Sequence, residues 1–439
     1  MEKRWPPWPK DVFLADFHIH SKYSRATSKE MEPVRLSEVA RLKGIALVGT
    51  GDFTHPAYLK ELEEKLEPLG NGLFVPKGDQ DGTRFILTAE VSNIYTWKGR
   101  GRRIHTVIFA PSFQVAKDIQ MRLKAVGNIS SDGRPIFGFS AKDLVRLVIE
   151  ASPECFIVPA HVWTPWFSLF GACSGFDSVE ECFEELSEHI YALETGLSSD
   201  PQMNWRLSSL DSYTLISNSD AHSPWKLGRE LNVFSCKMAY KDIIEAMKNP
   251  ALGFEGTIEF FPEEGKYHFD GHRSCNVCFS PGETKNHRGL CPVCNRPLTI
   301  GVCHRVDDLA DRPEGFVPEN GLPNIHLIPL EELIAQSFGV KSITKRVRKE
   351  YLHILEMCGP EFDLLLWKAQ EEMTGLVPDG LLKRIMAMRA EQVRVVPGYD
   401  GVYGRISPVI EDEGSSSNIP KTKGTKAKRA GKSRQKSLF

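Results

Sequence analysis

Histidine and acidic side chains recur along the first half of the chain in a pattern that could bind several metal ions. Two motifs, Asp16-Phe17-His18-Ile19-His20 and Ser219-Asp220-Ala221-His222, begin and end the series. Imidazole and carboxylate ligands suit zinc, manganese or iron, and clustered ions of this kind suit phosphoester hydrolysis. The pattern therefore predicts a multinuclear hydrolytic centre. Its nine candidate ligands are His18, His20, Asp52, His55, Glu90, His105, His161, Asp220 and His222.

Most of these residues follow short apolar runs, which are typical of buried parallel strands. Val12-Phe13-Leu14 precedes the first pair, Ile45 to Val48 leads to Asp52, and Leu215-Ile216 leads to Asp220. The carboxyl ends of parallel strands meet at one mouth of an α/β barrel. We therefore expect residues 1–262 to form a metal-dependent barrel with the ligands at that mouth.

The ligand pattern does not name the substrate. A lone histidine after a strand is more often structural than a ligand, so His105 by itself carries little weight. The paired motifs together with Glu90 and His161 carry the argument. Amidohydrolases use similar ligands, so the cluster alone leaves the bond that is cleaved open.

Aromatic residues crowd the stretch from Pro159 to Asp177. Packing within the loop is the simpler interpretation. The alternative is a surface on which a nucleobase stacks beside the metals. The residues concerned are Trp163, Trp166, Phe167, Phe170 and Phe176.

Two cysteine pairs follow the barrel and predict a separate zinc module in residues 263–326. Cys275-x-x-Cys278 and Cys291-x-x-Cys294 are spaced as in structural zinc sites. Four thiolates fill a tetrahedral shell and leave no open position for catalysis. We therefore expect one structural zinc ion at Cys275, Cys278, Cys291 and Cys294.

The remaining chain divides into a helical segment and a polar tail. Residues 327–410 have helical spacing and carry a basic run from Lys341 to Lys349 that could face a DNA backbone. Residues 411–439 are rich in Ser, Lys and Gly and are expected to be disordered. The start of the chain has no signal-peptide pattern and no apolar stretch long enough to span a membrane, so we expect a cytoplasmic protein.

The opening Phe17-His18-Ile19-His20-Ser21, with the ligands downstream, resembles the PHP (polymerase and histidinol phosphatase) superfamily. The resemblance implies a distorted seven-stranded βα barrel with up to three metals at its C-terminal mouth. One branch is closer. The segments Gly49 to Pro56, Glu90-Val91-Ser92 and Ser219 to Ser223, followed by a Cys₄ module and helices, look like endonuclease Q.

Similarity to endonuclease Q implies a DNA repair activity. The family's reaction is cleavage of the phosphodiester 5′ to a deaminated base (uracil, hypoxanthine or xanthine) or an abasic site. It leaves a 3′-hydroxyl and a 5′-phosphate. Two or three divalent ions (Zn, Mn or Mg) would activate hydroxide in the barrel, and damaged DNA would be the partner.

The resemblance also implies ligand roles, with Glu90 and Asp220 as the carboxylates closest to the chemistry. The first metal would be held by His18, His20, Glu90 and Asp220. Glu90 would bridge to a second, held by His105 and His161.

A third metal would use His222 with either Asp52 or His55. The superfamily's Thr-Asp-His motif is replaced here by Thr50-Gly51-Asp52, with His55 three residues later, so both remain candidates. The residue six positions after His20, often another histidine, is Ala26, so this third site is expected to be weaker.

Recognition of a deaminated base would require donors, because deamination places a keto oxygen where an amino group stood. The base would be extruded from the duplex, since unpaired or mismatched bases are the least costly to flip. The loop from Gly196 to Asp200 follows a strand and is the candidate source of donors, with Ser198 and Ser199 as the named residues.

The chain ends in Gln435-Lys436-Ser437-Leu438-Phe439. This ending resembles the motif by which bacterial repair proteins bind the sliding clamp, and it implies clamp contacts through Gln435, Leu438 and Phe439. An accidental Leu-Phe at the end of a tail is the alternative.

Two other functions fit parts of the sequence. A PHP-type small-molecule phosphatase would need the metal ligands but not the zinc module, the basic helices or the tail. A DNA-binding scaffold without catalysis would not need a nearly complete ligand set.

Overall fold

Strands and helices alternate along the first part of the chain and position the candidate ligands. The computed structural model describes residues 5–410, and all statements of structure concern that range. The strands within it are β1 Phe13–Asp16, β2 Leu47–Gly49, β3 Leu66–Pro68, β4 Phe74–Pro76, β5 Arg84–Trp97, β6 Arg100–Ala110, β7 Ile136–Phe137, β8 Phe156–Pro159, β9 Ala192–Glu194, β10 Thr214–Ile216, β11 Leu231–Phe234, β12 Phe254–Glu259, β13 Asp270–His272, β14 Val277–Phe279, β15 Asn324–His326, β16 Val393–Val396 and β17 Arg405–Pro408.

Several of the α-helices begin or end at residues that cap them. Ser140 accepts a hydrogen bond from the backbone N–H of Asp143 at the start of α4, and Gly44 ends α1 in the left-handed conformation. The helices are α1 Pro33–Lys43, α2 Pro56–Lys65, α3 Phe113–Val126, α4 Ala141–Ala151, α5 Val179–Phe183, α6 Pro201–Asn204, α7 Tyr240–Lys248, α8 Pro281–Asn286, α9 Val302–Leu309, α10 Leu330–Phe338, α11 Lys345–Cys358, α12 Gln370–Met373 and α13 Asp379–Arg389.

A central sheet of eleven strands confirms the mixed α/β class. Strands β1, β2 and β5 are parallel neighbours, as the apolar runs predicted. The rest of the sheet is mixed, because β11 is antiparallel to β1, β6 to β5, and β8 to β6. The parallel pair β9–β10 is a separate two-stranded sheet.

The long hairpin β5–β6 changes the expected placement of two ligands. Glu90 pairs with Val107 and Ser92 pairs with His105 in its antiparallel ladder. Glu90 and His105 therefore lie inside strands, whereas the other apolar runs end just before their ligands. Nine consecutive buried residues in β5 and seven in β6 show that both faces of the hairpin are covered.

A large apolar core lies beneath the candidate centre. Leu47, Ile86, Phe109 and Ile216 come from four different strands, Phe17 directly follows β1, and all five are buried in one apolar cluster. Burying each such side chain contributes on the order of 2 kcal/mol. This core fixes the strands whose ends carry the polar residues.

The helical segment packs against α1 through a buried carboxylate. Glu361 accepts hydrogen bonds from Lys43 Nζ on α1 (2.8 Å), from the Tyr351 hydroxyl (2.7 Å) and from the Leu330 backbone N–H (2.9 Å). Among the described residues, 5–409 form a single compact unit. Over the described range, no helix has the length and apolar character needed to cross a membrane.

Candidate metal centre

The carboxylate of Glu90 lies at the middle of the candidate centre and is 1% exposed. Its Oε1 atom is 2.7 Å from His105 Nδ1 and 3.1 Å from His161 Nε2. Its Oε2 atom is 3.2 Å from His20 Nε2 and 3.6 Å from His18 Nε2. The two oxygens therefore face two different histidine pairs, which is the geometry of a bridging carboxylate.

Asp220 approaches the same histidines from the end of the chain segment after β10. Its Oδ1 atom is 3.1 Å from His20 Nε2 and 3.8 Å from His18 Nε2. His222 lies beside it, and its ring centroid is 4.5 Å from that of His20. Asp220 and His161 adopt positive φ angles of 46° and 29°, conformations that cost about 1–3 kcal/mol each and that cluster at functional sites.

Buried atoms without hydrogen-bond partners show that cations fit this centre. His18 Nε2, His20 Nε2 and Asp220 Oδ1 are buried and have no hydrogen-bond partner within the described structure. Buried polar atoms are normally partnered, and these three converge on one region. Three overlapping groups could each hold an ion: His18, His20 and Glu90; His20, Asp220 and His222; and Glu90, His105 and His161.

Burial and neighbouring charges shift the pKa values of the buried groups in different directions. Burial would raise the pKa of Glu90, but the neighbouring His105 and Arg134 hold that pKa well below its usual range. Burial lowers the pKa of His105 to about 4, whereas the carboxylates of Glu194 and Glu90 outweigh burial and raise the pKa of His18 well above its usual range.

Two further carboxylates orient the histidines. Glu194, at the end of β9, is 3.0 Å from His18 Nδ1, and Asp52 is 3.2 Å from His20 Nδ1. Such contacts fix the ring and leave the other nitrogen for the metal. Asp52 Oδ2 also accepts hydrogen bonds from the Ser21 backbone and from the hydroxyls of Ser21 and Ser24.

The structure favours neither Asp52 nor His55 as a ligand of a third metal. Neither residue belongs to a group of converging donors. Asp52 lies behind His20, and His55 Nε2 is 3.2 Å from the Ser130 carbonyl oxygen, with its ring stacked 4.5 Å from Tyr23. The donors that accompany His222 are His20 and Asp220.

The aromatic stretch divides into core and surface residues. Trp163, Phe170 and Phe176 are buried, so the packing interpretation holds for them. Trp166 is exposed, and the half-buried Phe167 has its ring 4.8 Å from that of His105. Among the five aromatic residues, Trp166 and Phe167 are the two whose side chains are accessible enough for a base to stack on them.

The cysteine module contains a second group of converging donors. It comprises His272, Cys275, Cys291 and Cys294, with Cys294 Sγ 3.4 Å from His272 Nδ1. The sequence predicted Cys278 in place of His272. In the β13–β14 hairpin, His272 pairs with Val277 and Gly271 with Cys278. Because successive strand residues point to opposite faces, Cys278 lies on the face away from His272.

The comparisons with known proteins decide the family. No family model matches the chain. The crystal structure of PfuEndoQ, a lesion-specific endonuclease from Pyrococcus furiosus, is 33% identical over 90% of this chain and 95% of its own, with a TM-score of 0.80. The chain belongs to the endonuclease Q family. As a member of that family, it is a metal-dependent nuclease.

Other relatives cover the chain to different extents. A solved endonuclease Q in complex with a 27-mer duplex that has an abasic lesion at the active site is 32% identical over 91% of this chain and 97% of its own, with a TM-score of 0.79. The uncharacterized protein YqxK of Bacillus subtilis is 29% identical over 90% of this chain and 99% of its own. The chain spans 31% of the length of the uncharacterized protein MJ0043 of Methanocaldococcus jannaschii, at 30% identity.

Within this endonuclease Q, sequence reasoning missed two residues at the centre. Glu194 follows Ala192 and Leu193 on a buried strand, so the rule that found Asp220 could also have found it. Arg134 is 2.9 Å from Glu90 Oε2 and follows no apolar run. Only the fold brings Arg134 to the metal centre.

The predicted donor loop of this endonuclease Q lies beside a candidate ligand. Gly196 has a φ of 65°, and a Cβ there would overlap the Cβ of His161. Ser199 is buried, and its hydroxyl donates to the Thr195 carbonyl oxygen at 2.9 Å. Ser198 is half-buried. The loop therefore lies against His161, and Ser198 is its more accessible serine.

A buried acid away from the metal ligands gives a pH-dependent prediction. Burial raises the pKa of Glu259 from 4.5 to about 7, although hydrogen bonds from the hydroxyls of Ser217 and Thr257 oppose the shift. The folded protein holds a proton that the unfolded chain releases above pH 4.5, so stability falls as pH rises from about 4.5 to 7. The ionisation of Glu259 alone lowers the free energy of unfolding by about 3 kcal/mol over this change in pH.

Replacing Glu259 with glutamine should remove that dependence. We expect the free energy of unfolding of Glu259→Gln, relative to the wild type, to increase by about 3 kcal/mol between pH 5 and pH 8. Urea unfolding in the presence of a chelator measures it. Glu150→Gln, at an exposed position of α4, is the control. Parallel pH profiles for Glu259→Gln and wild type would contradict the assignment.

Proposed function

We propose that this protein is a DNA repair endonuclease that cleaves the phosphodiester 5′ to uracil, hypoxanthine, xanthine and abasic sites. The observation that carries the proposal is the convergence of four histidines on the two oxygens of Glu90, in a chain of the endonuclease Q family. The solved relative bound to a duplex with an abasic lesion supports DNA as the substrate class.

The finer barrel architecture belongs to the same proposal. Val162 N–H donates to the Glu194 carbonyl oxygen at 2.9 Å, and Ile19 forms a parallel bridge with Ala221. These contacts support a distorted seven-stranded PHP barrel made of β1, β2, β5, β6, β8, β9 and β10. In such a barrel the metal ligands share one mouth.

The proposed metal ligands are His18, His20, Glu90, His105, His161, Asp220 and His222. When bound, two or three divalent ions would lower the pKa of water and neutralise charge on the phosphate oxygens. Zinc, manganese and magnesium are the candidates. A further zinc ion would be structural and bound in the cysteine module.

Residues of the chain orient the proposed metal ligands for this reaction. Glu194 and Asp52 keep the imidazoles of His18 and His20 aimed inward. The oxygen of water attaches to phosphorus as the bond from phosphorus to the 3′-oxygen breaks. The 3′-oxygen takes up a proton, which gives a 3′-hydroxyl and a 5′-phosphate.

The proposal also includes recognition of the deaminated base and binding to the sliding clamp. A base flipped out of the duplex would lie near Gly196 and Ser198, where donors meet the keto oxygen created by deamination. Gln435, Leu438 and Phe439 would bind the sliding clamp; they lie outside the described residues. The cytoplasmic location expected from the sequence also stays a prediction.

A single gel assay tests the function. Matched duplexes carrying uracil, hypoxanthine, xanthine, an abasic site or no lesion are incubated with the protein and Mn²⁺, Mg²⁺ or Zn²⁺. We expect nicks 5′ to each lesion, with 3′-hydroxyl ends that a polymerase extends, and no nick in the undamaged duplex. Hydrolysis of p-nitrophenyl phosphate without DNA cleavage would instead favour a small-molecule phosphatase.

A further inference from the structure

Arg134 reaches into the metal centre, although it is not a metal ligand. Its Nη1 atom is 2.9 Å from Glu90 Oε2, the oxygen that also faces His20 Nε2 at 3.2 Å. About a third of the side chain (32%) is exposed to solvent. Arg134 is therefore both in contact with the proposed bridging carboxylate and accessible to a substrate.

The backbone before Arg134 is held firmly. Gly133 N–H donates to the Tyr23 carbonyl oxygen at 3.0 Å, and the Gly133 carbonyl oxygen accepts from the Thr54 hydroxyl at 3.2 Å. A Cβ at Gly133 would overlap Oδ2 of Asp52, so this segment packs directly on the residue that orients His20. The fold thus presents the arginine to the centre from a fixed base.

A guanidinium and a divalent cation compete for Glu90 when both approach the carboxylate oxygen that Arg134 contacts. At close range their charges repel, and the ion-pair distance of 2.9 Å leaves no room between Arg134 and Glu90 for an ion. Divalent ions bound through Glu90 would therefore displace the guanidinium. Since its backbone is fixed and its side chain is partly exposed, the displaced group would stay at the mouth of the centre.

The geometry of the Arg134 guanidinium indicates which anion would replace Glu90 as its partner. A guanidinium is planar and offers parallel N–H donors that match two phosphate oxygens. We propose that Arg134 binds a non-bridging oxygen of the scissile phosphate once metal ions occupy Glu90. It stabilises the charge that grows on that oxygen as the water oxygen attaches and the 3′-oxygen leaves. The inference rests on the proposed endonuclease function and assigns a catalytic residue to it.

Two variants separate the charge of Arg134 from its geometry. In Arg134→Gln we expect kcat on an abasic-site duplex to fall about 100-fold, the usual loss when one preorganised donor is removed, with KM changed much less. Arg134→Lys keeps the charge but loses the paired donors, so its kcat should lie between those of Arg134→Gln and wild type. Arg122→Gln, which removes an exposed ion pair on α3, is the control.

Metal binding to the DNA-free protein provides the second readout. Isothermal titration with Mn²⁺ should show tighter binding to Arg134→Gln than to wild type, because the ion no longer has to displace a guanidinium. Thermal unfolding of the metal-free variants checks that they are folded. A kcat within about threefold of wild type, or weaker metal binding in Arg134→Gln, would overturn the inference. If the wild type cleaves no DNA, the proposed function fails, and the titration still decides whether Arg134 competes with the metal.

Discussion

Replacing Glu90 with glutamine should abolish DNA cleavage at every attainable metal concentration, a loss of at least about 1000-fold. A glutamine amide has one acceptor oxygen and no charge, so it cannot bridge two cations between the His18–His20 and His105–His161 pairs. Steady-state cleavage of an abasic-site duplex, titrated with Mn²⁺, measures the loss. Glu150→Gln, on the exposed face of α4, should behave as wild type.

Two outcomes of this experiment need to be separated. Glu90 offsets the charge of Arg134, and breaking a buried pair costs about 3–5 kcal/mol, so Glu90→Gln could lose activity by unfolding. Asp220→Ala is the companion variant, because the Asp220 side chain is 34% exposed and supports less of the fold. We expect Asp220→Ala to keep its unfolding temperature and to bind lesion DNA, yet to lose cleavage. Cleavage by either folded variant at the wild-type rate would refute the metal centre.

The second large effect is expected in the cysteine module. Replacing Cys291 with serine should release one equivalent of zinc and unfold the module, because zinc contributes on the order of 10 kcal/mol to small sites of this kind. Cys291 is 1% exposed and packs against Val277 and Leu298, a cluster too small to hold the segment without the ion. Elemental analysis and limited proteolysis of the purified protein measure both changes.

A pair of variants identifies the fourth zinc ligand. The structure groups His272 with the three cysteines and turns Cys278 to the opposite face of the hairpin. We therefore expect His272→Ala to lose the zinc and Cys278→Ser to retain it. The reverse result would restore the four-cysteine site that the C-x-x-C spacing predicts, and unchanged zinc content in Cys291→Ser would remove the site altogether.

Residue types and spacing identified most of the side chains that converge in this region. Of the seven that converge, five lie just after buried strands, as the apolar runs predicted, whereas Glu90 and His105 lie inside the β5–β6 hairpin. The same rule placed β1, β2, β8 and β10. The helices α10 to α13 lie within residues 327–410, the segment with helical spacing, although the spacing from Phe362 to Met373 is divided between a π-helix, Asp363–Trp367, and α12.

Tertiary structure decided which side chains contact each other. Spacing could not separate Asp52, which supports His20 from behind, from a ligand that faces the metal, because both follow a strand. It could not choose between His272 and Cys278, since that depends on the register of a hairpin. Arg134 lies on a loop without periodicity, and it reaches Glu90 only because Gly133 is small enough to pack on Asp52. A sequence pattern predicts which face of a helix or strand a residue lies on and where that element ends. Contacts between elements depend on how the whole chain packs.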